Sequence, residues 1–279
     1  MSGKLVWKIK GQVLNCSKPL FMGILNITPD SFSDGGRFQT PESAREQALA
    51  LEAQGADILD IGAESTRPGA PLLSFNQELE RLEPVLDGIL KAVRIPISID
   101  TTKSQIADYA LGMGAAIVND VSGLKGDPEM GAVIAKHQAG VVLMHRRGDA
   151  QSMQQLTHYD SLIADILKEL QLSIDLAMQA GIGCEAVTID PGIGFSKTAD
   201  QNFQIIKSLA QFRKFERPIL IGASRKSFLA AAAQKESSAR LNASTAVHTL
   251  ALERGANILR VHDVAAAREA WMVTKEVLL

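Results

Sequence analysis

Eight short apolar runs, separated by segments of helical periodicity and ordinary globular composition, predict an α/β fold of the (β/α)8 barrel type. The runs are "PLFMGIL", "ADILDIG", "IPISI", "AAIVN", "GVVLM", "EAVTI", "PILIG" and "NILRV". Each is rich in Ile, Val or Leu and apolar on both faces, as strands of a parallel sheet covered by helices must be. Eight such β-then-α units in 279 residues match the count of a barrel. The competing arrangement, an open doubly wound sheet, usually announces itself with G-x-G-x-x-G after the first strand, and none stands there.

Taken in order, "LVWKIKGQVLNCS" precedes the first barrel strand and reads as a β-hairpin closing the barrel bottom. The first strand ends on Asn26. The first helix opens at Thr40 as N-cap with Pro41 behind it, acidic Glu42 and Glu46 near its positive end, and Gly55 as its stop. In "SFNQELERLEPVLDGILKAV" Leu79, Leu82, Leu86 and Leu90 share a face, and Pro84 argues for a kink or a late start. The longest helix, "DSLIADILKELQLSIDLAMQAG", runs to Gly181. The phrases "AQGAD", "MQAGI" and "LERGAN" repeat a Gly-terminated turn before a strand. No linker or low-complexity stretch divides the chain, so residues 1–279 are expected to form one domain.

Composition narrows the partners. The chain is 46% hydrophobic and 22% charged with a net charge of -2, which offers nucleic acid no general attraction. No apolar stretch is long enough for a membrane span, and the N-terminal residues lack the apolar core of a secretion signal. Cys16 and Cys184 have no metal-type spacing and read as reduced thiols. A cytoplasmic protein acting on small molecules is expected.

In a barrel the chemistry sits at the C-terminal ends of the strands. Just past the eight runs stand Asn26, "AESTRPG" (63–69), Asp100, Asn119, His145, Asp190, "SRKS" (224–227), and Arg260 with His262. Singly, each suits a helix cap or a turn. Converging on one mouth, they need a ligand to pair with. Asp100, Asn119 and Asp190 offer acceptors and an amide, a set that suits a flat heterocycle such as a 2-amino-4-oxo pyrimidine. Lys226 can donate to its carbonyl or a ring nitrogen; a Schiff-base role is the alternative. Met144 and Phe195 fit as walls or as plain core. Arg260 and His262 suit a phosphate, and Asn26 suits that anion or an Mg²⁺ bridging it.

The segments "MGILNITPDSFSDGGRF", "ESTRPGA", "ISIDT", "IVNDVSGL", "LMH", "DPGIGFSK", "GASRKS" and "LRVHDV" resemble, in order and spacing, the signatures of the dihydropteroate synthase family. The resemblance implies condensation of 6-hydroxymethyl-7,8-dihydropterin pyrophosphate with p-aminobenzoate, Mg²⁺-assisted and SN1-like, in a homodimer. It implies pterin binding by Asp100, Asn119, Asp190 and Lys226, with Met144, Phe195 and Gly222 shaping the slot. Pyrophosphate would fall to Asn26, Arg260 and His262, the metal to Asn26, and catalysis to Lys226, Arg260, His262 and Asp100. Thr66, Arg67, Pro68, Ser224 and Ser227 would border p-aminobenzoate, Ser227 through N–H groups at a helix start, while Phe32 and Asp34 belong to a mobile first loop. A corrinoid methyltransferase-like enzyme of the same barrel type would need neither "SRKS" nor "RVH", and a non-catalytic paralogue should have lost an anion or loop residue. Ala63, Val121 and Arg146 depart from the usual family residues, and Arg146 adds a positive charge near the mouth.

Overall fold

The computed structural model describes residues 5–27, 40–233, 236 and 238–278. It opens with an antiparallel hairpin, β1 (Val6–Ile9) and β2 (Gln12–Asn15). Eight parallel strands follow: β3 (Leu20–Asn26), β4 (Ile58–Gly62), β5 (Ile97–Asp100), β6 (Ile117–Asp120), β7 (Gly140–Met144), β8 (Val187–Asp190), β9 (Leu220–Ile221) and β10 (Ile258–Val261). They pair in the order β8-β7-β6-β5-β4-β3-β10-β9. A parallel bridge between Ile189 and Ile219 joins the two outermost members, so the sheet closes on itself. All eight apolar runs are strands, and the barrel stands over the open sheet.

The helices between them are α1 (Pro41–Ala53), α2 (Phe75–Ala92), α3 (Ser104–Met113), α4 (Met130–His137), α5 (Leu162–Gln179), α6 (Ala199–Lys207), α7 (Leu241–Glu253) and α8 (Val264–Leu278). Thr40 caps α1 by accepting from the Ser43 N–H, and the chain leaves through Gly55 at φ +95°, one residue past the C-cap Gln54. In α2 the start is earlier than Pro84 suggests. Ser74 and Gln77 form a reciprocal capping box that fixes the entry, and Pro84 is carried inside the helix on an exposed position.

Strand alternation sorts the barrel residues into two sets. Phe21, Leu25, Leu59, Ile61, Ile99, Val118, Val141, Leu143, Ile189 and Leu259 belong to the large core between barrel and helices. Their neighbours face the lumen. At its lower end Met22, Ile58, Ile117, Val142, Leu220 and Ile258 pack with Trp7 and Ile9 of the hairpin. Trp7 is fully buried, and its indole N–H donates to the Ala186 carbonyl at 2.8 Å. The hairpin plugs the bottom as expected. It comes so close to β7 that a Cβ on Gly140 would lie 2.6 Å from Ile9 Cγ2.

Candidate active site

Two residues further along the same lumen-facing register, the apolar filling gives way to polar groups. Asn26, Gly62, Asp100 and Asn119 are successive register partners across β3 to β6, and Met144 pairs with Asp190 across β7 and β8. The alternation that buries Ile58 and Met22 thus delivers carboxylates, amides and Arg260 into one chamber at the strands' C-terminal ends.

Arg260 organises it. Its Nε donates to Asp60 Oδ2 at 2.6 Å and its Nη2 to Asp100 Oδ2 at 2.7 Å. Asn119 Nδ2 donates to the same Asp60 oxygen at 3.1 Å. Sequence reasoning treats Arg260 as a fork for phosphate; two of its three nitrogens in fact face carboxylates. Asp60, fully buried, is a site residue that reasoning missed. Its signal was a charge in the middle of the apolar "ILDIG". Burial pushes the Asp100 carboxyl up to about 7 against the pull of Arg260, and Asp60 pushes the same way. Asp60 Oδ1 and Asp100 Oδ1 are buried without a hydrogen-bond partner among the described residues. Such atoms cost about 1–3 kcal/mol each, so the chamber favours a ligand that brings donors.

Across the chamber, Asp190 Oδ1 accepts from the Gly192 N–H at 2.7 Å. Burial raises its pKa and Lys226 opposes the rise. Lys226 donates to the Ile193 carbonyl and lies 4.4 Å over the Phe195 ring. Burial lowers its pKa to about 8, with Asp190 acting in the other direction. Lys226 stands outside any strand, at the head of a short 3-10 turn, Ser227–Ala231. Met144 and Phe195 join Val121 and Met153 in a small apolar cluster separate from the large core. Gly222 leaves room beside Arg260, whose Cβ would be 3.7 Å from an added methyl.

At the rim, the His262 ring Nδ1 is 3.0 Å from Ser224 Oγ, and the His262 main-chain N–H donates to that oxygen at 3.2 Å. Burial, with Arg260 and Arg225 next, lowers the His262 pKa to about 3. Ser224, expected at the p-aminobenzoate border, is therefore bonded to the expected anion ligand. Ser227 is exposed at the start of its turn.

Thr66, Arg67 and Pro68 lie on the loop after β4, the last two exposed. That loop is pegged by residues missed in the sequence. Lys103 donates to Glu64 at 2.6 Å and to Glu78 at 2.7 Å, and Glu64 accepts from the Leu73 N–H at 2.7 Å. Glu78, an acid on the buried face of α2 beside Leu82, Val85 and Ile89, was the available clue. A second network backs the wall. Lys197 donates to His145 Nδ1 at 2.9 Å and to the Phe195 carbonyl at 2.8 Å, and His145 Nε2 reaches Glu169 at 3.0 Å. Phe32 and Asp34 lie outside the described residues.

Among the described residues no cluster of three or more His, Cys, Asp or Glu side chains is arranged to hold a metal. Gly62 does leave bare backbone between two oxygen donors: an added Cβ would meet Asn26 Oδ1 at 3.5 Å and Asp100 Oδ2 at 3.8 Å. A hard cation that keeps most ligands from water and phosphate fits such a sparse set.

The family model described as "Pterin binding enzyme" matches residues 22–262. A dihydropteroate synthase from Synechocystis sp. is 46% identical over 253 residues, covering 90% of this chain and 88% of that one. Xanthomonas albilineans dihydropteroate synthase with 4-aminobenzoic acid superposes with a TM-score of 0.92 at 38% identity, covering 99% of both chains. The same enzyme in complex with 7,8-dihydropteroate gives 0.88 at 36% identity and 98% of both. With matches of this extent spanning strands β3 to β10, the chain belongs to the dihydropteroate synthase family of pterin-binding enzymes.

Proposed function

We propose that the chain condenses 6-hydroxymethyl-7,8-dihydropterin pyrophosphate with p-aminobenzoate, giving 7,8-dihydropteroate and pyrophosphate for folate synthesis. The observation that supports this is the lumen chamber, where β5, β6 and β8 carry Asp100, Asn119 and Asp190 at their C-terminal ends, a set of acceptors that suits one flat ligand. Asp190 keeps one carboxylate oxygen for the pterin while the other holds Gly192. Lys226 donates to the ring edge, and Met144 and Phe195 enclose its faces. Arg260 keeps Asp100 oriented and lends its charge to the departing group, and His262 adds a donor at the rim. Asn26 would hold Mg²⁺, which supplies further neutralisation of pyrophosphate charge.

The methylene C–O bond breaks with both electrons leaving on pyrophosphate. The arylamine nitrogen then bonds to that carbon and sheds a proton. An arylamine is nucleophilic enough to need no strong base, and the enclosed chamber limits competing attack by water. Ser227, Arg67, Thr66 and Pro68 border the p-aminobenzoate position, where backbone N–H groups of the turn suit its carboxylate.

We further propose that the chain acts as a cytoplasmic homodimer. The exposed apolar side chains of Leu250 on α7 and Met272, Val273 and Val277 on α8 support self-association. No helix among the described residues is long and apolar enough to cross a membrane. The test is pyrophosphate release with both substrates and Mg²⁺. Release is expected to require p-aminobenzoate, and release indifferent to it would overturn the proposal.

A further inference from the structure

We infer that Ser224 is a positioning residue for His262, its hydroxyl holding the imidazole in the tautomer that carries the proton on Nε2. Ser224 follows β9 and His262 follows β10, so their contact ties the ends of neighbouring strands. The Ser224 oxygen takes two contacts from the one residue: it accepts the His262 main-chain N–H at 3.2 Å and lies 3.0 Å from Nδ1. A serine hydroxyl has one proton to give and two lone pairs to receive with. With one lone pair on the amide, the proton is satisfied by Nδ1 acting as acceptor.

The opposite tautomer would drive a second N–H into the same oxygen. The hydroxyl proton would then be left without an acceptor among the described residues. Ser224 is 6% exposed, so water is a poor substitute. The charged groups around the ring agree with a neutral imidazole: Arg260, Arg225 and Arg67 disfavour a further cation there, against Asp263 alone. Arg225 is itself engaged in a bidentate pair with Asp263, at 3.0 and 2.6 Å. The ring therefore offers Nε2–H as a donor. Under the proposed function that donor faces the pyrophosphate; this step and the turnover expectation rest on that reading, and the tautomer does not.

The experiment is long-range ¹H–¹⁵N correlation spectroscopy on the unliganded full chain with ¹⁵N-labelled histidine, the His262 signals assigned by their loss in His262→Gln. The expected spectrum shows Nε2 protonated and Nδ1 bare at neutral pH. Ser224→Ala should shift both nitrogens toward a mixture of tautomers, and Ser224→Thr should restore the original pattern. In turnover, Ser224→Ala should lower kcat about tenfold, as for one lost orienting hydrogen bond, with the affinity for bare pterin unchanged. A wild-type spectrum with the proton on Nδ1 would overturn the inference, as would a His262 spectrum indifferent to Ser224→Ala. The wild-type spectrum decides even if the alanine variant does not fold. Because no substrate is present, a confirmed tautomer in an inactive protein would count against the proposed function and not against Ser224.

Discussion

Asp60→Asn removes one of two negative charges that share the Arg260 guanidinium and keeps the shape of the side chain. The amide oxygen can still accept from Arg260 and Asn119, which both now reach Asp60 Oδ2. What changes is the field at Asp100, whose Oδ2 is held by the same guanidinium at 2.7 Å. Oxygens gripped by Nε and Nη2 of one arginine lie roughly 4–5 Å apart, and like charges at that distance repel by about 3–4 kcal/mol at an effective dielectric near 20. If half of that survives local relaxation, the Asp100 pKa falls by more than about one pH unit.

In the wild type, Asp100 titrates at about 7, raised by burial and by Asp60. A raised carboxyl contributes stability that is present below its ordinary value and lost as pH rises through the folded value. It must also shed its proton to accept from a pterin N–H. Calorimetric titration of bare pterin near pH 6.5, in buffers of different ionisation enthalpy, should show proton release from the wild type and markedly less from Asp60→Asn. Equal proton release, or a binding midpoint moved to higher pH, would refute the coupling of Asp60 to Asp100 through Arg260.

Lys103→Met should raise KM for p-aminobenzoate several-fold and leave pterin affinity intact, because Lys103 pegs the loop carrying Thr66 and Arg67. Urea titration should show a loss of about 3 kcal/mol, since Glu78 is left as an unpaired buried charge. Lys197→Met should weaken bare pterin about tenfold, measured by fluorescence, by leaving the Phe195 carbonyl with Ser196 Oγ as its remaining donor. The apolar isostere also leaves the buried His145 Nδ1 without its donor, so the thermal midpoint should fall, by the equivalent of about 1–3 kcal/mol. Gly192→Ala should not accumulate as folded protein, judged by soluble yield: φ is +75° there and a Cβ would overlap the His145 carbonyl oxygen.

The parts legible in the sequence were those with a local signature. Each strand is a run of apolar residues read without reference to any other. The polar residue at each strand's end was equally plain, and closure of the sheet was enough to bring Asn26, Asp100, Asn119, Asp190 and His262 to one mouth. Pairing inside the mouth was not legible. Arg260 meets Asp60 and Asp100 across 200 and 160 residues of chain, and no spacing rule links them. Asp60 lay inside a strand, where attention to strand ends passed over it, although period-two alternation from Ile58 points it at the lumen. The Lys103 and Lys197 pegs escaped for another reason. Each looks like a surface lysine until the acids or carbonyls around it are placed by the fold. The start of α2 was misjudged because Pro84 outweighed the capping box of Ser74 and Gln77, which decides where the helix begins.

Under the proposed function the mouth is divided in two, with pterin held by the lumen carboxylates and pyrophosphate held at the rim. Equilibrium binding of 6-hydroxymethylpterin, with and without its pyrophosphate, to Asp190→Asn and His262→Ala tests that division directly. Asp190→Asn should weaken both ligands by the same factor, and His262→Ala should weaken only the pyrophosphate form. Equal losses for the two ligands in His262→Ala, or a loss confined to the pyrophosphate form in Asp190→Asn, would contradict it.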